Sequence, residues 1–162
     1  PAARVLGPFE GRPAAERYAR EANLSVAVAA SGLMRSALRA ATRHARRHER
    51  DGRPVFARQE VAFKLAEVLA LCEAAELLCH RAAWLAATGG AEAGTVARCA
   101  KVFCAEGAER AAGACLQVMA GEGYRRGSAG ERAWRDAKGL SLCGTTVEVA
   151  RMAVADDLLS RT

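Results

Sequence analysis

The 162 residues include 51% hydrophobic side chains, 5% aromatic ones and a formal net charge of +6. That is long enough for one domain with a sizeable buried core, and abundant alanine with few β-branched runs favours closely packed helices over sheet. No stretch approaches the roughly 20 uninterrupted apolar residues that span a bilayer, and no signal-peptide apolar core opens the chain, so a soluble cytoplasmic protein with no membrane contact is expected.

Residues 1–13 contain Pro1, Pro8 and Pro13 with Gly7 and Gly11, and read as a linker; the helical unit is expected over 14–162. From Ala14 to His48, Leu24, Val28, Leu33, Ala37, Ala41 and Ala45 recur at helical spacing. The break follows at 48–54, where Gly52 suits a left-handed stop and Pro54 cannot continue the helix but can begin the next. Between Val55 and Thr88 the stripe Val61, Leu65, Val68, Cys72, Ala75, Cys79, Ala82 and Leu85 predicts a helix of about 30 residues, near 45 Å long, that serves as the spine of a bundle.

Gly89 and Gly90 end that helix. The next is expected from Glu92 to Met119, with Val96, Cys99, Phe103, Ala108, Ala111 and Cys115 inward. A short amphipathic segment with alternating charges follows, and then a last helix from Val147 to Leu159 with Val147, Met152 and Leu158 or Leu159 inward. Thr145 or Thr146 would cap it, leaving free N–H groups for an anion. Long helices joined by short turns pack antiparallel. The fold class is therefore all-α, an up-and-down bundle of four principal long helices with no ordered sheet.

Cys72, Cys79, Cys99, Cys104, Cys115 and Cys143 lie mostly inside apolar helical patterns without CxxC spacing, which reads as reduced core packing. No metal site is expected. The positive charge concentrates between Arg39 and Arg58, a run that suits nucleic acid in one reading. It has few interleaved aromatics, and a solvated helix face is the plainer reading, so no nucleic-acid partner is expected.

The richest stretch is Gln117 to Arg151. It holds a glycine-punctuated turn at Gly121 and Gly123, whose missing side chains would let a bulky planar or phosphorylated ligand approach the backbone. Gln117, Gly121, Gly123, Tyr124, Arg132 and the run Trp134-Arg135-Asp136-Ala137-Lys138 stand at the spacing of the acyl-CoA dehydrogenase family, and the chain resembles that family's C-terminal helical domain from about Gly32 to its end. It departs at Ala120, where the family has glycine, and at Gly127, where an acidic residue is usual. The resemblance also implies that residues 1–13 lead in from a middle β-domain, so that the chain is expected to be a fragment of a longer protein.

The resemblance implies FAD as cofactor, an acyl-CoA thioester as substrate and a homo- or hetero-oligomer, dimer or tetramer, in which a neighbouring subunit completes the flavin site. By position Gln59, Gln117, Gly121 and Thr146 match family flavin contacts, and Glu148 stands where Gln or Glu is found. A family Arg-x-x-Phe-Gly motif that touches the neighbour's FAD falls on His48, Asp51 and Gly52, of which only the glycine is kept.

In this family a carboxylate removes the α-proton of the thioester while the β-hydrogen leaves as hydride to the flavin. It is usually the Glu of a Tyr-Glu-Gly-Thr turn. Counting from Lys138 to Arg151 places Cys143, Gly144, Thr145 and Thr146 at those four positions, so the usual base is absent. Some members carry the base on the first helix of this domain, at the position of Ala22; Glu21 is the neighbouring substitute, turned by about 100° around the helix axis. Three readings follow: a dehydrogenase with an unusual base or substrate, a catalytically silent subunit that completes an active partner, and a basic bundle that binds nucleic acid through Arg39 to Arg58.

Overall fold

The computed structural model describes residues 11–160, apart from the side chains at 12 and 13. Most of the expected 1–13 linker thus lies outside the described residues. Five helices follow in order: α1 (Arg12–Arg47), α2 (Gln59–Thr88), α3 (Ala93–Tyr124), α4 (Ala129–Leu142) and α5 (Val147–Leu159). A two-residue antiparallel ladder, β1 (Glu49–Arg50) with β2 (Arg53–Pro54), joins α1 to α2 through a 3-10 turn at Val55–Ala57. The architecture is the expected all-α one, and this ladder is a turn between two helices that the sequence did not announce. Asp51 and Gly52 turn it with φ of 56° and 72°, and Pro54 sits in the ladder instead of opening α2.

The spine is α3 and not α2, since α3 touches each of the other four helices. Its small residues explain this. Ala100, Cys104, Ala108, Ala111 and Cys115 are buried in one cluster with Ala27, Ala30, Met34, Ala37, Ala41 and Ala45 of α1, and side chains this short let two helix backbones lie close. A β-carbon at Gly107 would meet Met34 Sδ at 3.3 Å and Leu71 Cδ1 at 3.5 Å, so glycine marks the place where α1 and α2 both press on α3.

The α2 stripe is inward as expected from Leu65 to Leu85, with Val61 half-buried. In α1, Ala37, Ala41 and Ala45 are buried but Val28 is exposed, the inward register running through Asn23, Ala27, Ala30 and Met34. Cys99 and Phe103 of α3 are half-buried, and Cys143 is exposed. In α5 Val147 and Ala150 face inward, whereas Met152, Leu158 and Leu159 are exposed. Polar contacts fix that register: Asp157 accepts from Thr95 Oγ1 at 2.6 Å and from Arg98, which pins α5 to the start of α3.

The segment expected to be only short and amphipathic is α4. Ser128 caps it by accepting from the Glu131 N–H at 3.0 Å, while Glu131 accepts from the Gly127 N–H at 3.2 Å. Together these satisfy two donors at the helix start, a close variant of the capping box. No helix among the described residues is long and apolar enough to cross a membrane.

Candidate functional site

The turn between α4 and α5 is built around a buried cation. Lys101 of α3 is fully buried, and its ammonium donates to the carbonyls of Leu140 and Cys143, the latter at 3.0 Å. These are carbonyls at the end of α4 without helical partners, where positive charge is favoured. Burial pushes the Lys101 pKa down from its ordinary value, against the pull of Cys143 and Glu148. On the far side Thr145 Oγ1 donates to Oδ1 of Asn23 at 2.7 Å, and Asn23 is 1% exposed. Thr146 then caps α5, accepting from the Val149 N–H at 3.4 Å. Three helices therefore fix residues 140–146.

Gly144 lies in the middle of this clamp with φ of 70°. A β-carbon there would stand 3.6 Å from the Ala22 Cβ and 3.8 Å from Val26 Cγ2. The two positions singled out for a base, 122 residues apart in sequence, thus lie side by side in the fold. Neither carries an ionisable group. Glu21 is exposed, one residue along α1 from Ala22.

At the opposite end of the bundle lie the C-termini of α1 and α3 and the N-terminus of α2. Gln59, the first residue of α2, is exposed, as are Gln117 and Gly121 on α3. No atom outside its own turn comes within 4 Å of a β-carbon placed at Gly121, so its open backbone face is available to a ligand. Gly123 is different. It is buried, a β-carbon would stand 2.5 Å from Met119 Cβ, and its carbonyl accepts from Ser128 Oγ. Its missing side chain makes room for Met119 and the Leu116 carbonyl of α3 itself, which corrects the expectation that it stays open for a ligand. Ala120 breaks α3 with φ 49° and ψ −139°, a conformation glycine adopts readily and alanine does not.

The expected flavin-contact residues therefore form two groups. Thr146 and Glu148 belong to the Lys101 end, and Gln59, Gln117 and Gly121 to the other. Along α3, Lys101 and Gln117 are separated by about 24 Å at 1.5 Å per residue. The exposed Glu148 carboxyl is held below its usual range by the backbone N–H at the start of α5 and by Thr146.

Residues 10–159 match the family described as acyl-CoA dehydrogenase, C-terminal domain. The chain belongs to the acyl-CoA dehydrogenase family. An acyl-CoA dehydrogenase of Bacillus subtilis is 34% identical over 139 residues, 86% of this chain and 36% of that protein. A 3-(aryl)acrylate reductase of Clostridium sporogenes is 33% identical over 136 residues, 84% of this chain and 36% of the relative. The butyryl-CoA dehydrogenase structure of Megasphaera elsdenii superposes with a TM-score of 0.92 at 29% identity, covering 98% of this chain and 42% of that one. The chain thus spans well under half the length of these relatives.

Within this acyl-CoA dehydrogenase domain, the sequence reading missed Lys101 and Asn23. Lys101 sits in a stretch of α3, Val96 to Cys104, whose only other polar residue is Arg98, and on the face that carries Ala97, Cys104 and Ala108. That placement is the signal that a buried role was available to it.

Proposed function

We propose that this chain is the C-terminal helical domain of an FAD-dependent acyl-CoA dehydrogenase-like protein whose parent is a catalytically silent subunit, completing the flavin site and assembly of an active partner. The observation that carries this reading is the placement of Gly144 beside Ala22. Both places where the resemblance puts a carboxylate meet in space, and both are without one. The clamp of Lys101, Asn23 and Thr145 keeps the turn built around that vacant chemistry, which fits a domain retained for assembly.

FAD, when bound, supplies the hydride acceptor. The residues of this chain fit part of a flavin-facing wall: Gln59 and Gln117 present exposed amides, Gly121 an unobstructed backbone, and Thr146 with Glu148 the start of α5. Because these two groups sit at opposite ends, we assign them to two different flavins in an oligomer, with the rest of each site supplied by other domains. The purified domain alone is accordingly expected to bind FAD weakly or not at all. A cytoplasmic location belongs to the same proposal and is supported by six cysteines that form no bridge.

The competing reading, an active enzyme using Glu21, is opposed by the position of Glu21 beside Ala22, which itself faces the turn. The test is anaerobic bleaching of the flavin by acyl-CoA in the full-length FAD-loaded parent. A positioned general base is worth roughly 10²- to 10⁴-fold, so the unmodified parent should bleach slower than an active homologue by about that factor. Ala22→Glu is the better rescue, because φ of 70° at Gly144 makes any side chain there cost about 1–2 kcal/mol. Rapid bleaching by the unmodified parent, abolished by Glu21→Gln, would overturn the silent-subunit reading.

A further inference from the structure

Two histidines stand one helical turn apart at the end of α1, so their side chains leave the same face. The rings of His44 and His48 stack with centroids 4.9 Å apart and 17° between planes. Glu122, just beyond the break at Ala120 in α3, brings its Oε2 to 3.3 Å from His44 Nδ1. One ligand atom from each of the three lies within 4.8 Å of the others. We propose that His44, His48 and Glu122 bind one divalent transition-metal ion of the zinc class, bridging the end of α1 to the segment of α3 beyond its break.

The donor set selects the metal. Two imidazoles and one carboxylate, without a thiol, suit zinc, cobalt, nickel or copper and not the all-oxygen preference of magnesium or calcium. With metal–ligand bonds near 2.0–2.2 Å, donors around a tetrahedral ion stand about 3.4 Å apart. Closing from the observed spacing takes shifts of about 1 Å. His48 and Glu122 are exposed and free to make them by rotation, while His44, with 8% of its side chain exposed, is the fixed anchor.

Charge sets the rest of the coordination. The C-terminal end of α1 carries the negative pole of its helix and favours a cation. Arg43, Arg47 and Arg125 line the same cavity and oppose a bare dication. A divalent ion held by one carboxylate and two neutral imidazoles keeps one excess positive charge, so its open position takes a small anion, such as chloride or phosphate, that the guanidinium groups flank. One of the places where the sequence leaves the family pattern, His48 for arginine, is in this cluster, and another, Ala120 for glycine, lies two residues before Glu122. The bridge spans the end of the bundle that carries Gln117 and Gly121, so occupancy would stiffen it.

The experiment starts from protein stripped with chelator and titrated with Zn²⁺ by calorimetry, followed by Co²⁺ loading read by visible absorption. The expected result is one equivalent of Zn²⁺ bound, and a tetrahedral Co²⁺ spectrum without thiolate charge-transfer bands. His44→Ala, His48→Ala and Glu122→Gln should each weaken binding by more than about tenfold, since even outer-sphere partners are commonly worth 10–100-fold. His80→Ala, on α2, should leave it unchanged. Circular dichroism of the stripped variants checks that each is folded. No binding by the folded wild type, leaving His44 and Glu122 as a plain ion pair, overturns the proposal. Binding that survives all three ligand substitutions, or that shows thiolate bands, overturns it as well.

Discussion

The two ends of the bundle are held in opposite ways. At the Gly144 end, buried polar groups reach from two helices onto one turn: Lys101 onto Leu140 and Cys143, Asn23 onto Thr145. At the other end the backbone carries the unusual geometry, with Asp51 at φ 56° and Ala120 at φ 49°, while the charged groups are largely exposed. The lesson is that buried polar placement is concentrated at the turn where the family resemblance would put a catalytic carboxylate. The exposed and strained end is the one that offers Gln59, Gln117 and Gly121 to something outside the chain.

Breaking the clamp gives the largest expected effect. Lys101→Met leaves two part-buried carbonyls without their donor and should cost about 2–3 kcal/mol in urea denaturation of the purified chain. A loss below about 0.5 kcal/mol would mean that the turn is held by its own backbone and that the contrast between the ends is false. Next is Gly130→Ala. Its new β-carbon would stand 2.9 Å from the Gly123 carbonyl oxygen and 3.1 Å from the Gly123 Cα, backbone atoms of α3 that give way only if α3 and α4 shift apart, so a cost of about 1–3 kcal/mol is expected.

The strained end should respond with the opposite sign. Ala120→Gly removes a β-carbon from a left-handed conformation and should raise stability by about 1 kcal/mol, measured by the same denaturation. No gain would show that Ala120 is not strained.

The smallest effect is a pH dependence at the α3–α4 contact. Burial raises the Glu109 pKa, but hydrogen bonds from Lys138 and Ser141 outweigh it and hold the carboxyl below its ordinary value. A carboxylate lowered on folding contributes stability above its unfolded pKa of about 4.3 and loses it as pH falls through the folded value. Glu109→Gln should flatten the stability profile below about pH 4.3, by well under 1 kcal/mol after solvent screening.

How far the sequence could be read follows from where each residue's partner lies. The α2 stripe was legible because nothing but period governs it, and every residue from Leu65 to Leu85 on that face is inward. In α5 the period misled, because Asp157 binds Thr95 and Arg98 of α3, 62 and 59 residues away, and turns Met152 outward. The α4 helix was hidden by its polarity, although Ser128 and Glu131 carried a readable capping signal. Lys101 was the least legible residue of the candidate site. Lysine is rarely fully buried, and what holds it are carbonyls 39 and 42 residues along the chain. The reading that Gly144 stands at the base position came from the family resemblance, counted from Lys138 to Arg151, while its placement beside Ala22 needed the folded chain.

The most direct test of the silent-subunit account asks whether the parent can remove a proton at all. The full-length FAD-loaded protein is mixed with α-deuterated acyl-CoA in ordinary water, and loss of deuterium is followed by mass spectrometry. With Gly144 and Ala22 unchanged, washout should not exceed the solvent background, and Ala22→Glu should introduce it. Fast washout in the unmodified protein would contradict the account, because it requires a positioned base that neither Gly144 nor Ala22 supplies.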